Sequence, residues 1–157
     1  MIDLSGRIVV VSGAGGGGIG TTGTRLAAEA GAAVVAVSRR QDNLNEHVGP
    51  LVGQGLPVLT VAADAATDAG IATVMDAVRE APGALYGLVN VAGGAAPETW
   101  MPSTRVRRED WRALFTANLE TTFFMSQAVA AELVDRGSPG SIVSVSSISG
   151  MNTAPFH

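Results

Sequence analysis

Five of the six residues from Gly13 to Gly18 are glycine, and this cluster restricts the chain more than any other feature. The segment Ser12-Gly13-Ala14-Gly15-Gly16-Gly17-Gly18-Ile19-Gly20 follows the compact apolar run Ile8-Val9-Val10-Val11. It precedes an Ala-rich helical pattern from Ile19 to Ala30 that Gly31 ends. A strand, a glycine turn and a helix in that order open a βαβ unit. Glycine suits such a junction when a phosphate-bearing ligand must be met. The chain turns tightly at φ values that only glycine tolerates, the backbone approaches the phosphates without a Cβ, and the helix N-terminus supplies N–H donors and positive dipole. The competing reading is a flexible turn with no ligand.

The same alternation continues along the chain. Strands are expected at Ala33 to Val37, Val58 to Ala62, Leu85 to Val91 and Ser141 to Ser146. Residues 41–53 carry a weak helical pattern that Gly49-Pro50 should break or kink. A helix over Asp68 to Glu80 begins at Thr67 or Asp68 as cap, and one long helix runs from about Arg108 to Arg136. Residues 93–104 form a Gly/Ala/Pro-containing loop. Repeated β-α units with near-continuous apolar strands require a parallel sheet covered on both faces. The expectation is a single α/β domain over residues 1–157, a Rossmann-type doubly wound sheet. Ligands then bind at the carboxyl ends of the strands near the topological switch point.

Composition narrows the function classes. Charged residues make up 15% against 46% hydrophobic, which argues against disorder. The net charge of −4 disfavours a general affinity for nucleic acid or an anionic membrane, and Arg105, Arg107 and Arg108 read as a solvated helix start. Without cysteine there are no disulfides, thiolate metal ligands or Cys nucleophile, and no metal site is expected. The apolar stretches are strand-sized, so no membrane span and no targeting segment is expected, and the cytoplasm is the default location. His47 reads as a surface residue.

Ser12-Gly13 followed by Gly18-Ile19-Gly20 resembles the Thr-Gly-x-x-x-Gly-x-Gly motif of the short-chain dehydrogenase/reductase family. Ser12 replaces Thr, and one extra residue lies between Gly13 and Gly18, so the loop should bulge. The resemblance implies a nicotinamide dinucleotide held by Gly13, Gly17, Gly18, Ile19 and Gly20, with the particular middle glycine that meets the phosphate left open. After the second strand comes Ser38-Arg39-Arg40, facing the adenosine ribose in such a site. An acid there would bond the 2′-hydroxyl, whereas an arginine fork suits a 2′-phosphate. Ser38 and Arg39 therefore favour NADP(H) over NAD(H); the bland alternative is a solvated loop start. Asp64-Ala65 resembles the family's contact to the adenine amino group, although an Asp after a strand is often a turn former. Asn90-Val91-Ala92-Gly93 resembles the family's Asn-Asn-Ala-Gly element, with Val91 in place of the second Asn. Ala92 and Gly93 would let backbone pass close to the cofactor, and Asn90 would tie neighbouring strands together.

Hydride transfer to a carbonyl needs a proton donor beside the developing alkoxide and hydrogen bonds to the substrate oxygen. Gly140 to Gly150 resembles the family's fifth strand and catalytic serine, matched by Ser147; spacing alone does not choose among Ser146, Ser147 and Ser149. Asn118, midway along the long helix, resembles the family's asparagine that holds a proton-relay water. The family's general-acid Tyr and its Lys would fall beyond His157, and Tyr86 sits in a core-like context. The resemblance thus implies a fragment, truncated after the fifth strand and inactive alone. The complete enzyme would act on a ketone or secondary alcohol, 3-oxoacyl reductase-like in form, and assemble as a homodimer or homotetramer. A non-catalytic dinucleotide-binding or interaction module is the alternative, with an enoyl reductase-like enzyme disfavoured by Ser147 and Asn118. Trp111, Phe123 and Phe124 are read as packing residues, and Trp100 and Met101 in the 94–104 loop as bordering the substrate cleft.

Overall fold

Near-continuous apolar runs need cover from both sides, and each expected run is a parallel strand in the computed structural model, which describes residues 2–148. β1 (Arg7–Ser12), β2 (Ala33–Ser38), β3 (Val58–Ala62), β4 (Ala84–Asn90) and β5 (Ser141–Ser144) pair in the order β3-β2-β1-β4-β5, all parallel. The chain moves outward from β1 to β3, then returns to the other side of β1 as β4. The switch point therefore lies between β1 and β4.

The connecting helices are α1 (Ile19–Glu29), α2 (Gln41–His47), α3 (Gly49–Gly53), α4 (Asp68–Glu80), α5 (Arg108–Phe115) and α6 (Thr121–Asp135). Strand alternation sends Val9, Val11, Val34 and Ala36 to one face, against Ala28 of α1, Leu44 of α2, Leu51 of α3 and Val48 between those last two helices. Ile8, Val10, Val35 and Val37 point the other way, against Val74 and Val78 of α4 and Met125 and Val129 of α6. Each fully buried aliphatic side chain contributes about 1.5–3 kcal/mol before the entropy of ordering it is subtracted.

Local chemistry sets the helix ends. Thr67 is the α4 cap, its hydroxyl accepting from the Gly70 N–H at 3.0 Å. Pro50 sits in the first turn of α3, where its missing N–H costs nothing, so the Gly49-Pro50 pair closes one helix and starts the next. The long helix expected from Arg108 to Arg136 is present, running without interruption from Arg108 to Asp135, but it is not α-helical throughout. A π-helical turn, Thr116–Glu120, separates α5 from α6. Asn118 Nδ2 donates to the Leu114 carbonyl (2.8 Å), and Thr121 and Thr122 hydroxyls donate to the carbonyls of Ala117 (2.9 Å) and Asn118 (3.0 Å). These side chains compete for the backbone acceptors and widen the turn without any Gly or Pro.

The packing role expected for Trp111, Phe123 and Phe124 is also corrected. They are exposed, as are Phe115 and Leu119. Trp111 rests on Phe115 with ring centroids 4.7 Å apart, and Phe123 meets Phe124 edge-on at 5.3 Å. Tyr86 is only half-buried, with the Arg7 guanidinium 4.9 Å from its ring centre. No helix among the described residues is long and apolar enough to cross a membrane.

Candidate cofactor groove and active site

The carboxyl ends of β1 and β4 are stitched together by the Ser12 carbonyl, which accepts from the N–H groups of Val91 (2.8 Å) and Ala92 (3.0 Å). Gly13, next in line, donates to the Val37 carbonyl at 2.9 Å and so reaches across to β2. Its φ is +89°, and a Cβ there would lie 2.5 Å from the Ala92 nitrogen. Only glycine lets the chain leave β1 this close to the start of the Ala92-Gly93 segment. The chain then makes a 3₁₀ turn, Ala14–Gly16, and enters α1 with Gly18 as cap.

Above this junction lies an open groove of roughly 630 Å³. It gathers Gly13, Gly18, Ile19, Gly20, Ser38, Arg39, Asp64, Ala65, Ala92 and Gly93, ten of the residues singled out from the sequence. The first turn of α1 carries no acidic residue and no side-chain cap. Its amides and dipole are therefore open to an anion. At the β2 end, Ser38 is half-buried and Arg39 exposed, and among the described residues neither Arg39 nor Arg40 is ion-paired. Asn43 of α2 lines the same end and was not singled out from the sequence. The available signal was its place four residues after Arg39, in the first turn of a helix.

Asp64 combines the two roles weighed for it. It borders the groove, and it shapes its own turn, Oδ1 accepting from the Ala66 N–H at 3.0 Å. Gly17 does not line the groove; its N–H donates to Thr21 Oγ1 and its Cα faces the His47 ring. His47, expected at the surface, is consequently half-buried. Asn90 is buried behind the groove. Its Nδ2 donates to Ser126 Oγ of α6 (2.9 Å) and Ser144 Oγ of β5 (3.4 Å), and its carbonyl accepts from Val145 at 2.8 Å. These bonds tie β4 to α6 and to β5 with the residue after it, while Asn90 Oδ1 has no hydrogen-bond partner among the described residues.

Asn118 works on the loop after β4. Its Oδ1 accepts from the Gly94 N–H (2.7 Å) and its Nδ2 donates to the Gly94 carbonyl (3.0 Å). This two-point clamp holds the backbone just beyond Gly93, and the adjacent residues Ala113, Thr116, Ala117 and Thr121 form a groove wall. Ser147 follows β5 and is exposed; Ser149, Gly150 and His157 lie outside the described residues. Trp100 donates its indole N–H to the Ala95 carbonyl at 3.3 Å, fastening the 94–104 loop on itself. Among the described residues no cluster could hold a metal ion.

A five-stranded, doubly wound parallel sheet with a glycine-lined groove at its switch point defines a Rossmann-type nucleotide-binding fold. The short chain dehydrogenase family model matches residues 7–157. L-xylulose reductase of Bos taurus is 37% identical over 144 residues, covering 92% of this chain and 54% of that protein. A gluconate 5-dehydrogenase from Burkholderia cenocepacia, solved with NADP and tartrate, superposes with a TM-score of 0.83 at 31% identity. That match covers 99% of this chain and 59% of the other. A 7α-hydroxysteroid dehydrogenase solved with NADH and 7-oxo glycochenodeoxycholic acid gives a TM-score of 0.85 at 28% identity, covering 98% and 58%. The chain belongs to the short-chain dehydrogenase family. It spans less than two thirds of the length of these relatives.

Proposed function

We propose that these residues form the cofactor-binding part of an NADP(H)-preferring oxidoreductase acting on a ketone or secondary alcohol. The observation that carries the reading is the groove itself. It joins a glycine loop, an acid-free helix N-terminus and an arginine with no ion-pair partner among the described residues at one switch point. These parts fit a dinucleotide: the loop for the pyrophosphate, Ser38 and Arg39 for a 2′-phosphorylated ribose, and Asp64-Ala65 for the adenine. The nicotinamide, when bound, supplies or accepts the hydride. Ala92, Gly93 and the Asn118 clamp on Gly94 hold the backbone that would border it, and Gly17 contributes loop shape rather than contact.

Ser147 is the residue proposed to hydrogen-bond the substrate oxygen, with Asn118 supporting the proton path by fixing its surroundings. The sequence holds one tyrosine and no lysine. Tyr86 stands toward the amino end of β4, under Arg7 and away from the groove. The resemblance assigns the general acid to a tyrosine that Tyr86 does not match, which favours cofactor binding without turnover as the second reading for the 157-residue chain alone. For the whole protein we propose a small-molecule carbonyl or alcohol substrate, which includes 3-oxoacyl compounds, and a cytoplasmic location. Homo-oligomerisation is supported by the exposed row Trp111, Phe115, Leu119 and Phe123 along α5 and α6.

Titration of the chain with NADPH and NADH, read by quenching of tryptophan fluorescence, tests the reading. NADPH is expected to bind more tightly, and Arg39→Ala to weaken NADPH by about tenfold or more while leaving NADH nearly unchanged, as loss of a charge-assisted bond implies. Equal loss for both would remove Arg39 from ribose recognition, and no binding of either would overturn the cofactor assignment.

A further inference from the structure

The glycine loop is one residue longer than the motif it resembles, and the extra length is fastened at one point. Gly17 turns back in the left-handed region (φ +69°). Its N–H donates to Thr21 Oγ1 at 3.0 Å, and the same hydroxyl donates to the Ala14 carbonyl at 2.6 Å. Thr21 belongs to the first turn of α1 and is half-buried. A single hydroxyl thus bridges both ends of the 3₁₀ turn Ala14–Gly16, accepting from one side and donating to the other. On its outer side Gly17 abuts α2, where a Cβ would lie 3.2 Å from the His47 ring. Gly15, Gly16, Gly18, Ile19 and Gly20 line the groove, and Gly17 does not.

We infer that Thr21 is a positioning residue for the cofactor pyrophosphate. By taking the Gly17 N–H it folds the additional residue outward between α1 and α2, and leaves the amides from Gly18 to Gly20 at the mouth of α1 to face the anion. Thr21 itself touches no ligand; it acts through the loop. The inference rests on the dinucleotide reading above and adds which part of the loop meets the phosphate.

The test compares two ligands on the 157-residue chain by NMR chemical-shift titration: NADPH, and adenosine 2′-monophosphate, which lacks a pyrophosphate. Thr21→Val keeps the shape and removes both hydrogen bonds. It should weaken NADPH about tenfold, the scale of two lost hydrogen bonds, and leave adenosine 2′-monophosphate within about twofold. Thr21→Ser keeps the hydroxyl and should restore NADPH affinity. Deleting Gly17 removes one of the two groups that Thr21 fastens and leaves the bond to the Ala14 carbonyl, so Thr21→Val should weaken NADPH less in that background than in the wild type. Equal weakening of both ligands would show a merely structural role and overturn the inference, as would unchanged NADPH affinity or failure of serine to restore it. If the wild-type chain binds neither ligand, the dinucleotide reading falls and the positioning role falls with it.

Discussion

Replacing Gly13 by alanine perturbs the point where β1, β2 and β4 converge, and its cost can be worked from local geometry. The new Cβ would lie 2.5 Å from the Ala92 nitrogen and 2.8 Å from the Ala92 Cα, both backbone atoms that cannot swing aside. An L-residue held at φ +89° adds about 1–2 kcal/mol of backbone strain. Relieving the clash separates β1 from the Val91-Ala92 segment and strains the two bonds to the Ser12 carbonyl, each worth about 0.5–1.5 kcal/mol net. The expected loss is about 2–5 kcal/mol, a large share of the roughly 5–15 kcal/mol that holds an ordinary domain together. Urea unfolding followed by circular dichroism measures it, with Gly16→Ala as the control, because a Cβ at Gly16 meets nothing within 4 Å. A Gly13→Ala variant no less stable than the Gly16→Ala control would refute the argument that the chain's exit from β1 requires glycine.

Asn118→Ala should cost about 0.5–1.5 kcal/mol, since the Gly94 N–H and the two carbonyls it frees are exposed and water replaces much of what they lose, and hydrogen exchange at Gly94 should accelerate while the β1 amides stay protected. Asp110, in the first turn of α5, is held below the ordinary carboxylate range by hydrogen bonds from Arg107 and by its charge. A depressed carboxyl pKa stabilises the fold above the unfolded value, near 3.8, and that contribution disappears as pH falls through the folded value. The stability difference between the chain and its Asp110→Asn variant should therefore be constant from neutral pH down to about pH 5 and shrink only in stronger acid. A difference that changes between pH 6 and 8 would show another group to be responsible.

The fold was legible because its strongest signals are local. Runs such as Ile8 to Val11 and Ala33 to Val37 are too apolar for any but a doubly covered strand, and Gly31 and Thr67 mark helix ends by mechanisms that act within a few residues. The π turn inside the long helix was hidden because no Gly or Pro announces it. It arises when Asn118, Thr121 and Thr122 each bond a carbonyl four residues back, and hydroxyls and amides at those positions fit an unbroken helix equally well. The roles of Gly17 and Asn43 depend on α2 lying against the loop, a tertiary contact between segments about thirty residues apart that no local pattern encodes.

The two halves of the candidate site rest on different amounts of buried structure, and this decides how each responds to mutation. The groove residues stand on β1 and β2, whose inner positions from Val34 to Val37 and from Ile8 to Val11 are buried on both faces. A change there, as at Gly13, alters stability and binding together, so affinity losses must be compared at matched folding. Ser147 follows β5, every residue of which is exposed, and no buried cluster of the described residues includes it. Ser147→Ala removes one hydroxyl from an exposed position, and NADPH affinity measured beside activity separates a change in the groove from one at the substrate oxygen. A loss of activity in the whole protein at unchanged NADPH affinity then reports on contact with the substrate oxygen, the one role proposed for it.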